Sequence, residues 1–271
     1  MINSKLSELK KILSEMGSVL IAYSGGVDST FLLKVAKEVL GKNVLAVTAQ
    51  SETYPQDEIE EAKKLAKEIG VRHIIIETEE LKNPEFSKNP PERCYYCKKE
   101  LFSKLKEIAE KEGIKFIVDG SNYDDLKDFR PGMKAGIEYG IRSPLKEAGL
   151  TKKEIRHLSR ELGLKTWDKP QLACLASRFP PYTEINPIDL KRVGEAEKFL
   201  KNLGLKQIRV RHHYPIARLE FSLEDFPIIL DSGKRELIVN KLKELGYLYV
   251  TLDLEGYKTG SLNRLIPDKE K

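Results

Sequence analysis

The sequence predicts an α/β protein, a doubly wound parallel sheet followed by a smaller C-terminal α+β domain. Three observations carry this prediction. Short apolar runs of strand length recur at 18–23, 44–48, 73–76 and 116–119, rich in β-branched residues and suited to burial on both faces. Between them lie stretches with apolar residues at helical spacing, so strand and helix alternate as in parallel sheets with right-handed crossovers. From about Pro187 the alternation gives way to a compact helix–strand–strand–helix–strand pattern, credible as a second domain. The expected division is 1–186 and 187–271.

Taken in order, Leu6, Leu9, Ile12, Leu13 and Met16 predict a helix over 5–16, stopped by Gly17. After the strand at 18–23, Phe31, Leu32, Val35, Ala36 and Val39 share one face of a helix that ends at Gly41. The unit repeats with a strand at 44–48 and a helix over 56–69 that Gly70 closes before the strand at 73–76. Residues 77–93 are polar and hold Pro84, Pro90 and Pro91, so they read as a long loop of the functional kind. A helix over 97–112 and a strand at 116–119 follow, then a polar stretch at 120–132 that falls where site loops gather, at the carboxyl ends of strands. Residues 141–144 predict a short fifth strand. Thr151 and Glu154 form a capping box for a helix to about 162. Residues 167–180 carry proline breaks and no period, as in a loop between domains or over a site. The second domain is predicted from a helix over 188–203, strands at 207–212, 216–221 and 248–253, and a helix over 235–245.

Composition narrows the function. The 271 residues carry 47 basic and 42 acidic side chains spread along the chain. The resulting charge of +5 forms no concentrated basic stripe and argues against a nucleic-acid partner. No apolar segment approaches the roughly 18 residues of a membrane span, and the start of the chain lacks the apolar core of a signal peptide. The expectation is a cytoplasmic protein with no membrane contact.

The centre of the first domain is Ser24-Gly25-Gly26-Val27-Asp28-Ser29-Thr30, between a strand and a helix. Two glycines let the backbone approach an anion, hydroxyls add donors, and the unpaired N–H groups of the helix start face the negative charge. No Gly-Lys-Ser/Thr follows, so the P-loop of γ-phosphate-cleaving enzymes is not matched. Ser24, Gly25, Gly26 and Ser29 are therefore candidate phosphate contacts, which the PP-loop resemblance below assigns to ATP. Asp28 is a candidate for placing Mg2+, although an acid in a first helical turn is also favoured by the helix dipole, and the serines also serve as plain caps.

Only three cysteines occur, Cys94, Cys97 and Cys174. Such an odd, sparse set argues against a disulfide framework. The Cys-x-x-Cys spacing suits a shared metal centre. With Cys174 it suits an iron–sulfur cluster that leaves one iron open to an exogenous ligand such as sulfide. A zinc clip, a redox pair and unlinked thiols remain alternatives at this point.

The string Ser-Gly-Gly-Val-Asp-Ser resembles the PP-loop of the ATP pyrophosphatase superfamily, whose members transfer AMP to a substrate and release pyrophosphate. Four longer segments resemble the LarE family: residues 143–156, the Thr-Trp-Asp-Lys-Pro and Ala-Cys-Leu-Ala-Ser-Arg stretch ending at Arg178, residues 119–132, and Arg209-Val-Arg-His-His213. LarE is the ATP-dependent sulfur transferase of nickel-pincer nucleotide biosynthesis. The resemblance implies adenylation of a carboxylate of pyridinium-3,5-biscarboxylic acid mononucleotide, then displacement of AMP by sulfur. One branch of that family sacrifices the cysteine matching Cys174. Another has the additional Cys-x-x-Cys pair and a [4Fe-4S] cluster, and this chain resembles the second. The implied metal ligands are Cys94, Cys97 and Cys174, the implied partners a nucleotide substrate and sulfide or another sulfur donor, and the family's hexamers imply a homo-oligomer.

Other residues are weighed against plainer roles. Arg178, four residues after Cys174, can neutralise a phosphate or lower a thiol pKa, or be a surface charge. Asn122, Asp125 and Arg130 occupy the expected site loop, though Asx turns also explain such residues. Arg209 and Arg211 alternate on one strand face and can converge on a phosphate, or line an exposed sheet. Two rival functions stand beside sulfur insertion into a small molecule. One is a tRNA 2-thiolation enzyme with the same ATP chemistry, and the other a non-catalytic iron–sulfur or nucleotide-binding scaffold.

Overall fold

A computed structural model describes residues 2–127, 131–170, 173–205 and 207–267. In chain order its elements are α1 (Ile2–Met16), β1 (Val19–Ala22), α2 (Val27–Leu40), β2 (Val44–Gln50), α3 (Gln56–Ile69) and β3 (Arg72–Glu77). Then come α4 (Pro84–Ser87), α5 (Arg93–Lys111), β4 (Phe116–Asp119), α6 (Gly132–Glu138), α7 (Pro144–Glu147) and α8 (Lys152–Glu161). The rest are α9 (Pro187–Asn202), β5 (Ile208–His213), β6 (Ile216–Phe221), α10 (Phe226–Leu230), α11 (Ser232–Glu244) and β7 (Tyr249–Leu252).

The chain divides into two compact units, Met1–Glu80 with Cys94–Leu172, and Leu81–Arg93 with Ala173–Lys271. Packing thus draws the division elsewhere than at 186/187. Residues from the loop before α5 hydrogen-bond to the stretch before α9: the Tyr182 N–H donates to the Asn89 carbonyl at 2.8 Å and the Ile185 N–H to the Ser87 carbonyl at 2.7 Å. The buried Asn89 side chain adds a bond to the Pro180 carbonyl at 2.6 Å.

In the first unit a parallel sheet runs in the order β3-β2-β1-β4. β1, β2 and β4 bury residues on both faces, since successive residues point to opposite sides. Val19, Ile21, Val44, Ala46 and Val118 join one apolar cluster with α1, α2 and α8, while Leu20, Leu45, Val47 and Ile117 join another with α5. Such two-sided burial explains why these strands read as continuous apolar runs rather than alternating ones. The order reverses at β1, which pairs with β2 on one side and β4 on the other, so the carboxyl ends of β1 and β4 flank a topological switch point.

Three local details differ from expectation. The predicted fifth strand reduces to one bridged pair, Val118 with Arg142, because Pro144 opens α7 two residues later and cannot donate to a ladder. Residues 77–93 are not a single loop but hold a 3-10 turn at Glu80–Lys82 and α4, which Asn83 caps. The helix predicted over 97–112 begins at Arg93, so Cys94 and Cys97 are helical.

In the second unit β6 lies between β5, antiparallel, and β7, parallel, with α9 packed on β5. No helix among the described residues is long and apolar enough to cross a membrane.

Candidate active site

β1 delivers the chain to the phosphate cradle at the switch point. Gly25 takes a positive φ of 69°, and a Cβ there would stand 2.9 Å from the Ala62 Cβ of α3. Only glycine fits that conformation and that approach without strain. Gly26 begins α2 in extended geometry with no side-chain cap, which leaves the helix start for an anion. Ser24 and Ser29 hydroxyls lie 3.0 Å apart, and the Ser29 hydroxyl also donates to the Gly26 carbonyl at 3.3 Å. The loop is thus held by its own side chains with its donors converging.

Positive charge reaches this loop from distant sequence. Lys152 at the start of α8 pairs with Asp28, whose second carboxylate oxygen, Oδ1, is buried without a hydrogen-bond partner among the described residues. Lys169 donates to the Gly25 carbonyl at 3.4 Å and pairs with Glu58 and Glu61. Neither lysine is visible as a site residue in the sequence, since each stands more than a hundred positions from its partner and carries no local signal.

At the carboxyl end of β4, between α5, α6 and α7, lies a cavity of about 330 Å3. Asp119 and Ser121 line it, and Gly120 between them packs so closely on α2 that a Cβ would come within 3.0 Å of the Ser29 nitrogen. The cavity thus lies at the carboxyl end of β4, next to β1 in the sheet. Cys94, from the first turn of α5, also lines it. Cys97 lies one turn further on the same helix, where residues three apart share a face.

Asn122 and Asp125 are both buried and form an Asx-type turn. The Asn122 N–H donates to Asp125 at 2.9 Å, and the Asp124 N–H donates to the Asn122 side chain at 2.9 Å. They shape the loop after β4. Arg130 lies outside the described residues.

Cys174 belongs to the second unit, at the entry to the 3-10 turn Leu175–Arg178. Arg178 is not a surface charge; it is 4% exposed. Its guanidinium meets Glu197 through two bonds of 2.8 and 2.7 Å and donates to the carbonyls of Ala173 and Cys174 at 2.8 and 3.1 Å. Burial alone would raise the Glu197 pKa, but the Arg178 charge and the Val210 N–H hold it below the ordinary carboxylate range. Arg211 extends the same scaffold, donating to the Ser177 carbonyl at 2.9 Å and to Glu220 at 2.7 Å. Arg209 stacks over the Tyr257 ring at 5.0 Å, and burial together with the Arg178 charge lowers its pKa. Both strand arginines are buried rather than on an exposed face. The turn carrying Cys174 is fixed at its backbone by two buried arginines, each neutralised by a buried glutamate.

Within each unit, no group of three His, Cys, Asp or Glu among the described residues is arranged to hold a metal ion. None of the three cysteines is in a disulfide.

A cradle of this build on the first of four parallel strands, with a cavity at the carboxyl end of β4, defines an ATP-using PP-loop enzyme. The NAD synthase family model matches residues 1–101. The chain is 39% identical over 264 residues to pyridinium-3,5-bisthiocarboxylic acid mononucleotide synthase of Lactiplantibacillus plantarum, covering 96% of this chain and 94% of that protein. It is 46% identical over 266 residues to the uncharacterized protein slr1717 of Synechocystis, covering 98% and 99%. More distantly, it is 29% identical to the argininosuccinate synthase of Pyrococcus furiosus over 56% of this chain and 40% of that one. The chain belongs to the LarE family of PP-loop proteins, and it is an ATP-dependent sulfurtransferase.

Proposed function

We propose that this enzyme converts a carboxylate of pyridinium-3,5-biscarboxylic acid mononucleotide into a thiocarboxylate, as the name of the Lactiplantibacillus relative suggests. The observation that carries the reading is the cradle after β1 together with a cavity that Cys94 lines at the carboxyl end of the neighbouring β4. In the first half-reaction a carboxylate oxygen attacks the α-phosphorus of ATP, and the bond to the β-phosphate oxygen breaks. Pyrophosphate leaves with that electron pair, and an acyl-adenylate remains. The backbone N–H groups at the start of α2, with Ser24 and Ser29, hold the departing phosphates where negative charge accumulates. Asp28 would hold Mg2+ through its orphaned Oδ1, a hard oxygen donor of the kind that ion takes, and the ion would offset charge on the pyrophosphate.

In the second half-reaction a sulfur nucleophile attacks the acyl carbon and loses its proton. The C–O bond breaks, and AMP leaves carrying the former carboxylate oxygen. Cys94, Cys97 and Cys174 would be the thiolate ligands of a [4Fe-4S] cluster, three soft donors of the kind it takes; when bound, the cluster would supply sulfide as a soft nucleophile. The Arg178–Glu197 pair keeps the backbone at Cys174 in one geometry. Arg209 and Arg211 are proposed to meet the substrate phosphate or a second subunit of a homo-oligomer. We propose the cytoplasm, where ATP is supplied, as the place of the reaction.

Pyrophosphate release tests the first half-reaction. With a sulfur donor present, pyrophosphate and AMP are expected in equal amounts, and only when the bis-carboxylic mononucleotide is present. Formation of ADP, or a requirement for tRNA in its place, would overturn the reading.

A further inference from the structure

The cavity at the carboxyl end of β4 has a chemistry that the phosphate-binding turn does not use. Its polar lining is Lys98 from α5, Lys146 from α7, and Asp119 with Ser121 and Ser143. The Asp119 carboxylate is oriented by both serines, whose hydroxyls donate to it at 2.8 Å each. Neither lysine forms an ion pair among the described residues, and Lys98 rests over the Phe102 ring at 5.2 Å. Two cationic side chains thus line a concave site without an ion pair to any described carboxylate, although lysine is strongly hydrated and ordinarily found on open surface.

The apolar lining is flat-sided. Met133 and Ile137 stand on α6 with Gly132 and Gly136, and Ile141 follows. Glycine at 132 and 136, four apart, removes side chains from one helical face. A Cβ at Gly132 would press to 3.0 Å on the Lys98 side chain, so the bare face is what lets Lys98 lie along α6. A volume of about 330 Å3 sits at the low end for small-molecule sites and admits a single six-membered ring with its substituents.

We propose that this cavity seats the aromatic ring of a pyridinium dicarboxylate, with Lys98 and Lys146 on its carboxylates and Asp119 facing its cationic nitrogen. The proposal rests on the substrate reading above and extends it to named residues. The charges match in number and sign: two ammonium groups for two carboxylates, and one oriented carboxylate for one ring cation. Location matches too: Asp119 and Ser121 stand at the carboxyl end of β4, which pairs with β1, so the ring sits at the same end of the sheet as the Ser24–Ser29 turn. Cys94 lines the same cavity.

The test is equilibrium binding of the bis-carboxylic mononucleotide to the full-length protein carrying a non-hydrolysable ATP analogue. Lys98→Met and Lys146→Met should each weaken that binding about tenfold, the scale of one charge-assisted hydrogen bond, while leaving affinity for the ATP analogue unchanged. Lys146→Arg should recover part of the loss, and Lys165→Met, which removes a surface lysine, should have no effect. Unchanged binding in both Met variants overturns the site, whether or not the wild-type enzyme releases pyrophosphate. Lysine-dependent binding in an enzyme that forms no pyrophosphate upholds the site and overturns the reaction instead.

Discussion

Replacing Glu197 with Gln is expected to destabilise the second unit by about 3–5 kcal/mol, the cost of leaving one charge of a buried pair uncompensated. Arg178 and Glu197 are 4% and 5% exposed, so water cannot take over either charge. Glu197 also accepts from the Val210 N–H at 2.9 Å, which ties α9 to β5. The loss should appear as earlier unfolding in denaturant and faster alkylation of Cys174, because Arg178 holds the Ala173 and Cys174 carbonyls. Arg178→Met alone should cost a similar amount. The double variant should cost less than the sum, since no unpaired charge remains; it should not return to wild type, because the carbonyls at 173 and 174 still lose their donor. A fully additive pair of single effects would contradict the burial argument.

Gly25→Ala should weaken binding of ATP about a hundredfold. A non-glycine residue in the left-handed region costs roughly 1–2 kcal/mol, and overpacking against Ala62 adds roughly 1–3 kcal/mol, together the scale of two decades in affinity. Gly26→Ala provides the contrast. Gly26 has φ −79°, which any residue adopts, and its Cβ would meet only the Ser24 hydroxyl at 3.4 Å. Calorimetric titration of an ATP analogue into both variants should give a large loss for the first and a small one for the second. Equal losses would mean that the cradle does not depend on the Gly25 conformation.

Much of the first unit was legible because its signals are local. Two-sided strands appear as apolar runs, Gly70 closes α3 with φ 77° and bonds to the carbonyls of Ala66 and Lys67, and the Thr151 capping box is present as read. The cradle was legible because phosphate binding needs its glycines and hydroxyls contiguous. What periodicity could not reveal depends on contacts between distant residues. The pairing of 87–89 with 182–185 carries no amphipathic pattern. The helix α6 contains Gly132 and Gly136, poor helix formers, and is held by packing on Phe102 and Ile141. The burial of Arg209 and Arg211 was not legible because what surrounds them, the Tyr257 ring and Glu220, lies on other stretches of the chain. Lys98, Lys146 and Asp119 meet only once α5, α7 and β4 are placed around one cavity.

The central claim is that a carboxylate oxygen of the substrate leaves on AMP. The measurement is mass spectrometry of the nucleotide formed when the bis-carboxylic mononucleotide, carrying 18O in its carboxylates, reacts with ATP, Mg2+ and sulfide. One heavy oxygen in AMP, with sulfur in its place in the product, is the predicted result; unlabelled AMP, or the label in inorganic phosphate beside ADP, would contradict it.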